Sequence, residues 1–182
     1  MELYTRRLIL RFWEEQDAPA LYRQAKDPDI GYPAGWPAHK SIRDSLYVIR
    51  NVLSGAECYA VCLKEDDVPI GAIELKLHGH SNMTGGENEC ELGYWIGKDY
   101  WGQGYIPEAA EELLRRAFEE LSMVAVWCGY YVGNSNSKRV QEKLGFSYHH
   151  TCEKVFVPLL DVVRAEHINC MTVEMWRNRC CE

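Results

Sequence analysis

The sequence predicts an α+β fold, and three features carry that expectation. A short apolar run followed at once by an amphipathic stretch opens the chain. The period of apolar residues changes from helical to alternating at Cys58. An apolar run ending at Ile96 then passes through two glycines into the most regular helical pattern in the sequence. With 182 residues, 47% hydrophobic and 26% charged, the chain suits one domain, residues 1–182, able to bury its own core. A net charge of −7 argues against the concentrated basic face that nucleic acid requires and fits a cationic ligand. No apolar run approaches the ~20 residues of a membrane span, and charges interrupt Met1 to Asp17, so neither a membrane partner nor a signal peptide is expected. The expected compartment is the cytoplasm.

Leu8–Arg11 reads as a strand and Asp17–Ala25 as a helix capped by Asp17. Asp27–His39, rich in Pro and Gly around Trp36, reads as an irregular loop of the kind that walls a site. Ser41 begins a second helix, with Asp44 completing a partial capping box and Leu46, Ile49 and Leu53 on one face before Gly55. Cys58–Leu63 and Ile70–Leu77 read as adjacent antiparallel strands joined at Asp66-Asp67-Val68-Pro69. Beyond the polar stretch His78–Glu89, Glu91–Ile96 is a third strand with Leu92, Tyr94 and Ile96 on one face. Pro107–Leu121 is a helix with an apolar stripe of Ala110, Leu113, Leu114, Ala117, Phe118 and Leu121, and Glu111/Arg115 and Glu112/Arg116 paired on its wet side. Val124–Val132 is apolar or aromatic throughout, as expected of a strand buried on both faces. Gly133-Asn134-Ser135-Asn136 opens a short helix that ends at Leu144 before Gly145. Ser147–Val157 and His167–Trp176 read as a closing strand pair around a loop at Pro158–Glu166.

Among the eight cysteines, Cys58, Cys62, Cys90, Cys128, Cys152 and Cys170 are scattered through strand-like runs and read as small buried hydrophobes. Cys180 and Cys181 form a tail. His78-Gly79-His80 and His149-His150 lack a Cys or carboxylate at ligand spacing and read as surface histidines, so no metal is expected.

The chemistry concentrates in Trp101-Gly102-Gln103-Gly104-Tyr105-Ile106-Pro107-Glu108-Ala109. Glycines here allow a tight turn and a close ligand approach, and the unpaired N–H groups of a helix start carry partial positive charge, so the stretch reads as an anion cradle. Pro107 fits the first helical position, where a missing N–H costs nothing.

Four separated motifs together resemble a GNAT-superfamily N-acetyltransferase, most closely its RimJ/RimL-type branch. Thr5-Arg6-Arg7-Leu8-Ile9-Leu10-Arg11 with Asp17 is similar to the branch's first strand and helix, and Leu92-Gly93-Tyr94-Trp95-Ile96 to its central strand. Trp101 to Ala109 resembles the coenzyme A pyrophosphate loop. Asn134-Ser135-Asn136-Ser137-Lys138-Arg139-Val140 through Lys143-Leu144-Gly145-Phe146 is similar to the branch's Asn-x-x-Ser helix and Leu-Gly-Phe ending. The likeness spans essentially the whole chain. It departs from the superfamily at Trp101, where Gln or Arg is common, and at Ile106, where the last Gly or Ala of the loop stands.

The resemblance implies an acyl-CoA N-acyltransferase fold: a mixed, mostly antiparallel central sheet flanked by helices and splayed at its central strands. It implies direct acetyl transfer from acetyl-CoA to a primary amine, either a peptide or protein N-terminus or a small amine. The amides of Gly102, Gln103, Gly104, Tyr105 and Ile106 would hold the pyrophosphate, and the strand edge at Tyr94, Trp95 and Ile96 the pantetheine arm. Asn134 would meet a pantetheine amide or simply cap the next helix. Ser137 matches the branch's serine proton donor, with a first-turn capping role of nearly equal weight; many superfamily members use instead a tyrosine where this chain has Gln141. Glu91 is the candidate base, with Glu89 and Glu74 as alternatives, and all three also fit solvent-facing strand positions. A coenzyme A-binding module without turnover is the alternative function, separable by a thiol-release assay. Dinucleotide binding lacks its opening strand-glycine-helix unit. Trp36 or Trp176, if exposed, would offer a homodimer surface.

Overall fold

The computed structural model describes residues 1–179, so the Cys180 and Cys181 tail lies outside it. The chain opens with β1 (Leu3–Tyr4) and β2 (Leu8–Arg11), followed by the helices α1 (Ala18–Ala25), α2 (Pro28–Ala34) and α3 (Ile42–Asn51). Three strands come next: β3 (Cys58–Leu63), β4 (Pro69–Lys76) and β5 (Glu89–Ile96). Then α4 (Tyr105–Arg115) runs into a π-helical turn at Arg116–Glu120, and β6 (Ala125–Tyr131) and α5 (Ser135–Leu144) follow. The hairpin β7 (Ser147–Val157) and β8 (Val162–Thr172) and the helix α6 (Val173–Arg179) complete the described chain.

One eight-stranded sheet runs in the order β1-β2-β3-β4-β5-β6-β8-β7. Every neighbouring pair is antiparallel except β5 and β6. Alternation along the strands sends side chains to two separate cores. On one face Leu8, Leu10, Ile73, Leu75, Leu92, Val126 and Met171 pack with Leu113 and Leu114 of α4. On the other face Cys58, Ala60, Cys62 and Ala72 pack with Leu21 of α1 and Ile49 of α3. Full burial of a leucine such as Leu113 stabilises by about 1.5–3 kcal/mol, so α4 is fixed firmly against the strand that leads into it.

Asp17 is placed differently from the expectation: its side chain makes no cap bond at α1. It is buried and accepts from both Nη atoms of Arg11, at 2.8 and 3.0 Å. Ser41 does cap α3, accepting the Asp44 N–H at 3.1 Å. The stretch read as a loop at Asp27–His39 contains α2, because Asp27 caps it through the Asp29 N–H at 2.9 Å and Pro28 fits its first turn. Trp36 then folds back on Gly31, where an added Cβ would stand 2.6 Å from the indole.

Helix α4 starts at Tyr105, so Pro107 is its third residue rather than its first. The expected i,i+4 pairs on its wet side are replaced. Arg116, the first residue of the π turn, points inward to Glu57 at 2.6 Å, while Arg115 pairs with Glu112 at 2.7 Å. Only the first half of β6 is buried on both faces; from Gly129 it opens toward a cleft. β8 begins at Val162, leaving a short turn with Asp161 at φ +52° in place of the longer loop. It ends at Thr172, whose hydroxyl accepts the Met175 N–H at 3.3 Å and starts α6, so Trp176 is helical. Trp176 is stacked on Phe118, and Trp36 packs on Trp95, so both tryptophans are spent within the chain and the aromatic argument for a dimer lapses.

Candidate active site

β5 and β6 pair only at Glu89, Cys90 and Glu91, opposite Ala125, Val126 and Trp127. Beyond that point β6 follows β8 up to Tyr131, while Leu92–Ile96 keeps a partner on the β4 side alone. The sheet therefore parts into a V between its central strands. A cavity of about 660 Å³ fills the opening and is lined by Tyr94, Trp95 and Ile96 on one arm and Cys128 to Tyr131 on the other.

At the end of β5, Gly102 and Gly104 adopt φ +73° and +78°, the left-handed region that glycine enters without strain. Gly104 is the N-cap of α4, and its carbonyl accepts the Glu108 N–H at 3.2 Å. Gly102 and Gly104 precede α4, and the N–H groups of Tyr105 and Ile106 in its first turn have no acceptor within the helix. Gly102, Gly104, Tyr105 and Ile106 line the cavity; Gln103 does not, and its side-chain amide donates instead to the Asp99 carbonyl at 2.8 Å. Arg7 steadies the turn. Its Nη1 donates to the Gln103 carbonyl at 3.1 Å, its guanidinium lies 4.3 Å over the Tyr105 ring, and its Nε meets Glu108 at 2.7 Å. Trp101 folds back so that its indole N–H donates to the Ile96 carbonyl at 3.0 Å.

On the α4 face of the gap, the Tyr94 hydroxyl lies 2.9 Å from Ser137 Oγ, and Gln141 Nε2 donates to the same oxygen at 3.2 Å. Gln141 is 0% exposed and is held by Asn169, which donates to it at 2.7 Å. Burial pushes the Tyr94 phenol well above its usual range, so it keeps its proton, and its O–H also donates to the Ser137 carbonyl at 3.2 Å. Ser137 lines the cavity, and either hydroxyl of the Tyr94–Ser137 pair can donate to the other. Asn134 caps α5: its Oδ1 accepts the Ser137 N–H at 3.1 Å and its Nδ2 donates to the Pro33 carbonyl at 3.3 Å, tying α5 to α2.

On the opposite face the expected solvent-facing glutamates are not exposed. Glu91 is 7% exposed and accepts from Lys76 Nζ at 2.7 Å and from the Ser81 hydroxyl at 2.6 Å. Glu74 stands 3.8 Å from Lys76, and burial raises its carboxyl. Glu89 is turned away, accepting the Trp127 indole N–H at 2.9 Å and the Gly85 N–H at 2.9 Å. Glu166, which the sequence reading placed in a loop, sits on β8 opposite Tyr131 and is 9% exposed. Burial, and next the charge of Glu91, push its carboxyl up to about 7 against the opposing pull of Lys76 and Arg164. Burial likewise pushes the thiols of Cys58, Cys62 and Cys90 up to about 12, leaving them inert as nucleophiles. Cys152 and Cys170 are half-buried, and His149 and His150 are exposed on β7. Among the described residues no group of three or more His, Cys, Asp or Glu is arranged to hold a metal ion. No helix there is long and apolar enough to cross a membrane.

Residues 7–147 match the family model described as an acetyltransferase (GNAT) domain. The uncharacterized N-acetyltransferase p20 of Bacillus licheniformis is 29% identical over 150 residues, covering 79% of this chain and 81% of its own. An acetyltransferase (GNAT family) structure from Bacillus anthracis superposes with TM-score 0.83 at 24% identity, over 96% of this chain and 99% of that one. A ribosomal-protein-S5-alanine acetyltransferase structure from Vibrio fischeri shares the fold at TM-score 0.69 and 16% identity, over 97% of this chain and 98% of that one.

Proposed function

The chain belongs to the GNAT acetyltransferase family, and from that premise we propose that it transfers an acetyl group from acetyl-CoA directly to a primary amine. The observation that carries this reading is the turn of left-handed Gly102 and Gly104 at the start of α4, set beside a cleft that also holds Ser137 and Tyr94. Acetyl-CoA supplies the reactive thioester. The turn amides and the start of α4 bind its diphosphate, since the N–H groups of the first helical turn and the helix dipole favour negative charge there. The exposed edge at Tyr94, Trp95 and Ile96 accepts an extended amide-bearing arm as an added strand. Asn134, its amide engaged with Ser137 and Pro33, shapes the cleft by fixing α5. Ser137 gives its hydroxyl proton to the departing sulfur, and its contacts with Tyr94 and Gln141 hold that hydroxyl in place. Glu91 and Lys76 form an ion pair on the acceptor side, with Glu91 buried and Lys76 half-buried.

The acceptor is a peptide or protein N-terminus or a small amine, in keeping with the RimJ/RimL likeness and with the substrate named for the Vibrio fischeri neighbour. Calorimetry with coenzyme A and a thiol-release assay with acetyl-CoA across amines and N-terminal peptides test the proposal. Saturable binding with turnover on at least one amine is the expected result. Binding without turnover on every acceptor would leave only a coenzyme A-binding module, and no binding would remove the reading altogether.

A further inference from the structure

A second cavity of about 570 Å³ lies behind the gap, lined by His80, Ser81, Met83 and Phe156 among others. Five residues line both cavities: Lys76, Met83, Glu91, Tyr131 and Glu166. The partition between the two spaces is therefore made of a lysine, two glutamates, a tyrosine and a methionine. Strand register explains why they meet. Lys76 stands opposite Glu91 between β4 and β5, Tyr131 opposite Glu166 between β6 and β8, and Trp127 opposite Glu91 across the three paired positions. All project to the α1 and α3 face, away from Ser137.

The two carboxylates are not equivalent. Glu91 is saturated by Lys76 and Ser81. Glu166, nine-tenths buried, takes part in no side-chain hydrogen bond or ion pair among the described residues. Space is kept for it by Gly129, where an added Cβ would stand 2.7 Å from Glu166 Oε1 and 2.5 Å from Met83 Cε. The Glu166 carboxyl borders both cavities, so a ligand entering either one meets a carboxylate that no protein donor among the described residues engages. The charges around it set what that ligand is. Glu91 faces it from β5, Lys76 from β4, Tyr131 and Cys128 from β6, Cys152 stands opposite on β7, and Arg164 lies two residues away on its own strand. Arg164 is turned outward, donating to the Tyr32 carbonyl at 2.8 Å and stacking 4.2 Å from the Tyr131 ring. With Glu74 beside Lys76, three carboxylates share one ammonium, so the partition has room for one more cation.

We propose that Glu166 receives the acceptor's ammonium group, delivered through the second cavity, and removes the proton that makes its nitrogen nucleophilic. This deepens the acetyl-transfer reading and rests on it for the chemical step. Glu166 takes one proton from R–NH3⁺, leaving a neutral amine and a carboxylic acid. The nitrogen then forms a C–N bond with the thioester carbonyl and the C–S bond breaks. The departing sulfur takes the Ser137 proton, the nitrogen's second proton restores Ser137, and Glu166 releases its own to solvent. Overall, ammonium and thioester become amide, thiol and one free proton. A carboxyl that titrates close to neutrality suits that exchange. The acceptor class is a primary amine on a stem that lies along the second cavity, whose lining includes Met83, Tyr131 and Phe156.

Two measurements on the full chain test this. Carbon-13 NMR titration of glutamate side chains, with Glu166 identified by its absence in Glu166→Gln, reads the carboxyl directly. The expected midpoint near 7 falls by a unit or more on adding n-butylamine or an Ala-Gly-Gly amide, since an adjacent cation favours the carboxylate. Response to the peptide alone assigns an N-terminus, and response to butylamine alone a small amine. A midpoint at the ordinary glutamate value of ~4.3, or one that neither probe moves, overturns the proposal. In turnover, Glu166→Gln should lower kcat/KM for the amine at least tenfold and abolish the rise of rate with pH through neutrality, with the acetyl-CoA KM unchanged. An unaltered pH profile also overturns it. If wild-type protein acetylates no amine, the acetyl-transfer reading fails, whereas the titration still decides whether Glu166 binds ammonium.

Discussion

Replacing Gly104 with alanine tests whether the turn before α4 is an anion site or only a corner. At φ +78°, alanine costs about 1–2 kcal/mol relative to glycine. No clash adds to this, because the new Cβ would stand 3.7 Å from Arg7 Nη2, an ordinary contact. In a chain of this size the strain corresponds to a melting temperature about 2–8 °C lower. The chain relieves the strain by turning Gly104 out of the left-handed region, which swings the neighbouring N–H groups away from the cleft. Each charge-assisted hydrogen bond lost is worth about 1.5–3 kcal/mol, so the Kd for coenzyme A should rise ~10- to 100-fold. Gly145→Ala is the matched control: it stands at φ +82° at the far end of α5, with its nearest outside atom at 3.4 Å. It should lose similar stability and bind coenzyme A as wild type does. Calorimetry and thermal melts on the two variants give the answer. Equal melting losses with equal, unchanged affinities would refute the anion-site reasoning.

Ser137→Ala should lower turnover about tenfold or more while leaving the acetyl-CoA KM nearly intact; unchanged turnover in the thiol-release assay would remove its role as proton donor. Glu166 also shapes the pH dependence of stability. Its folded carboxyl is raised from 4.5 to about 7, so the native state holds a proton that the unfolded chain releases, and stability falls as pH rises through that window. Glu166→Gln lacks this term and should gain on wild type by up to about 3 kcal/mol between pH 4 and pH 8; a pH-independent difference in melting temperature would contradict it. Glu57→Ala leaves Arg116 buried with only Glu120, at 2.6 Å, as a partner. Urea denaturation should show a loss of about 3 kcal/mol, and a loss below 1 kcal/mol would mean that the buried pair is energetically neutral.

The strands were legible because a half-buried sheet writes itself in period two, as Ile73, Leu75 and Leu92 do. α2 was hidden by its own punctuation. Gly31 and Pro33 read as loop residues, yet Gly31 is needed for Trp36 to approach and Pro33 is tolerated in a helix of only seven residues. The π turn and the inward Arg116 depend on Glu57, 59 residues away in sequence, and local charge spacing says nothing of that. In the site, the glycine turn and Ser137 were visible as local motifs. Glu91 was visible as a residue but not as a buried one, because its burial follows from the Ser81 loop folding over the strand. Glu166 gave no local signal: its environment is assembled from β4, β5, β6 and β8, and only the small residue at Gly129 hinted at close packing. Gln141 and Asn169 were likewise silent, their pairing being a cross-element contact.

The three matched positions between β5 and β6 join what are otherwise two rafts, β1 to β5 and β6 to β8. Such a seam concentrates fraying, since the rest of each raft is laddered on its own. If acetyl-CoA lies along Leu92–Ile96 as proposed, it would act as a stitch, extending the closure toward the open end of the V. The parting would then be repaired by the molecule it admits, and occupancy would tighten the scaffold as a whole.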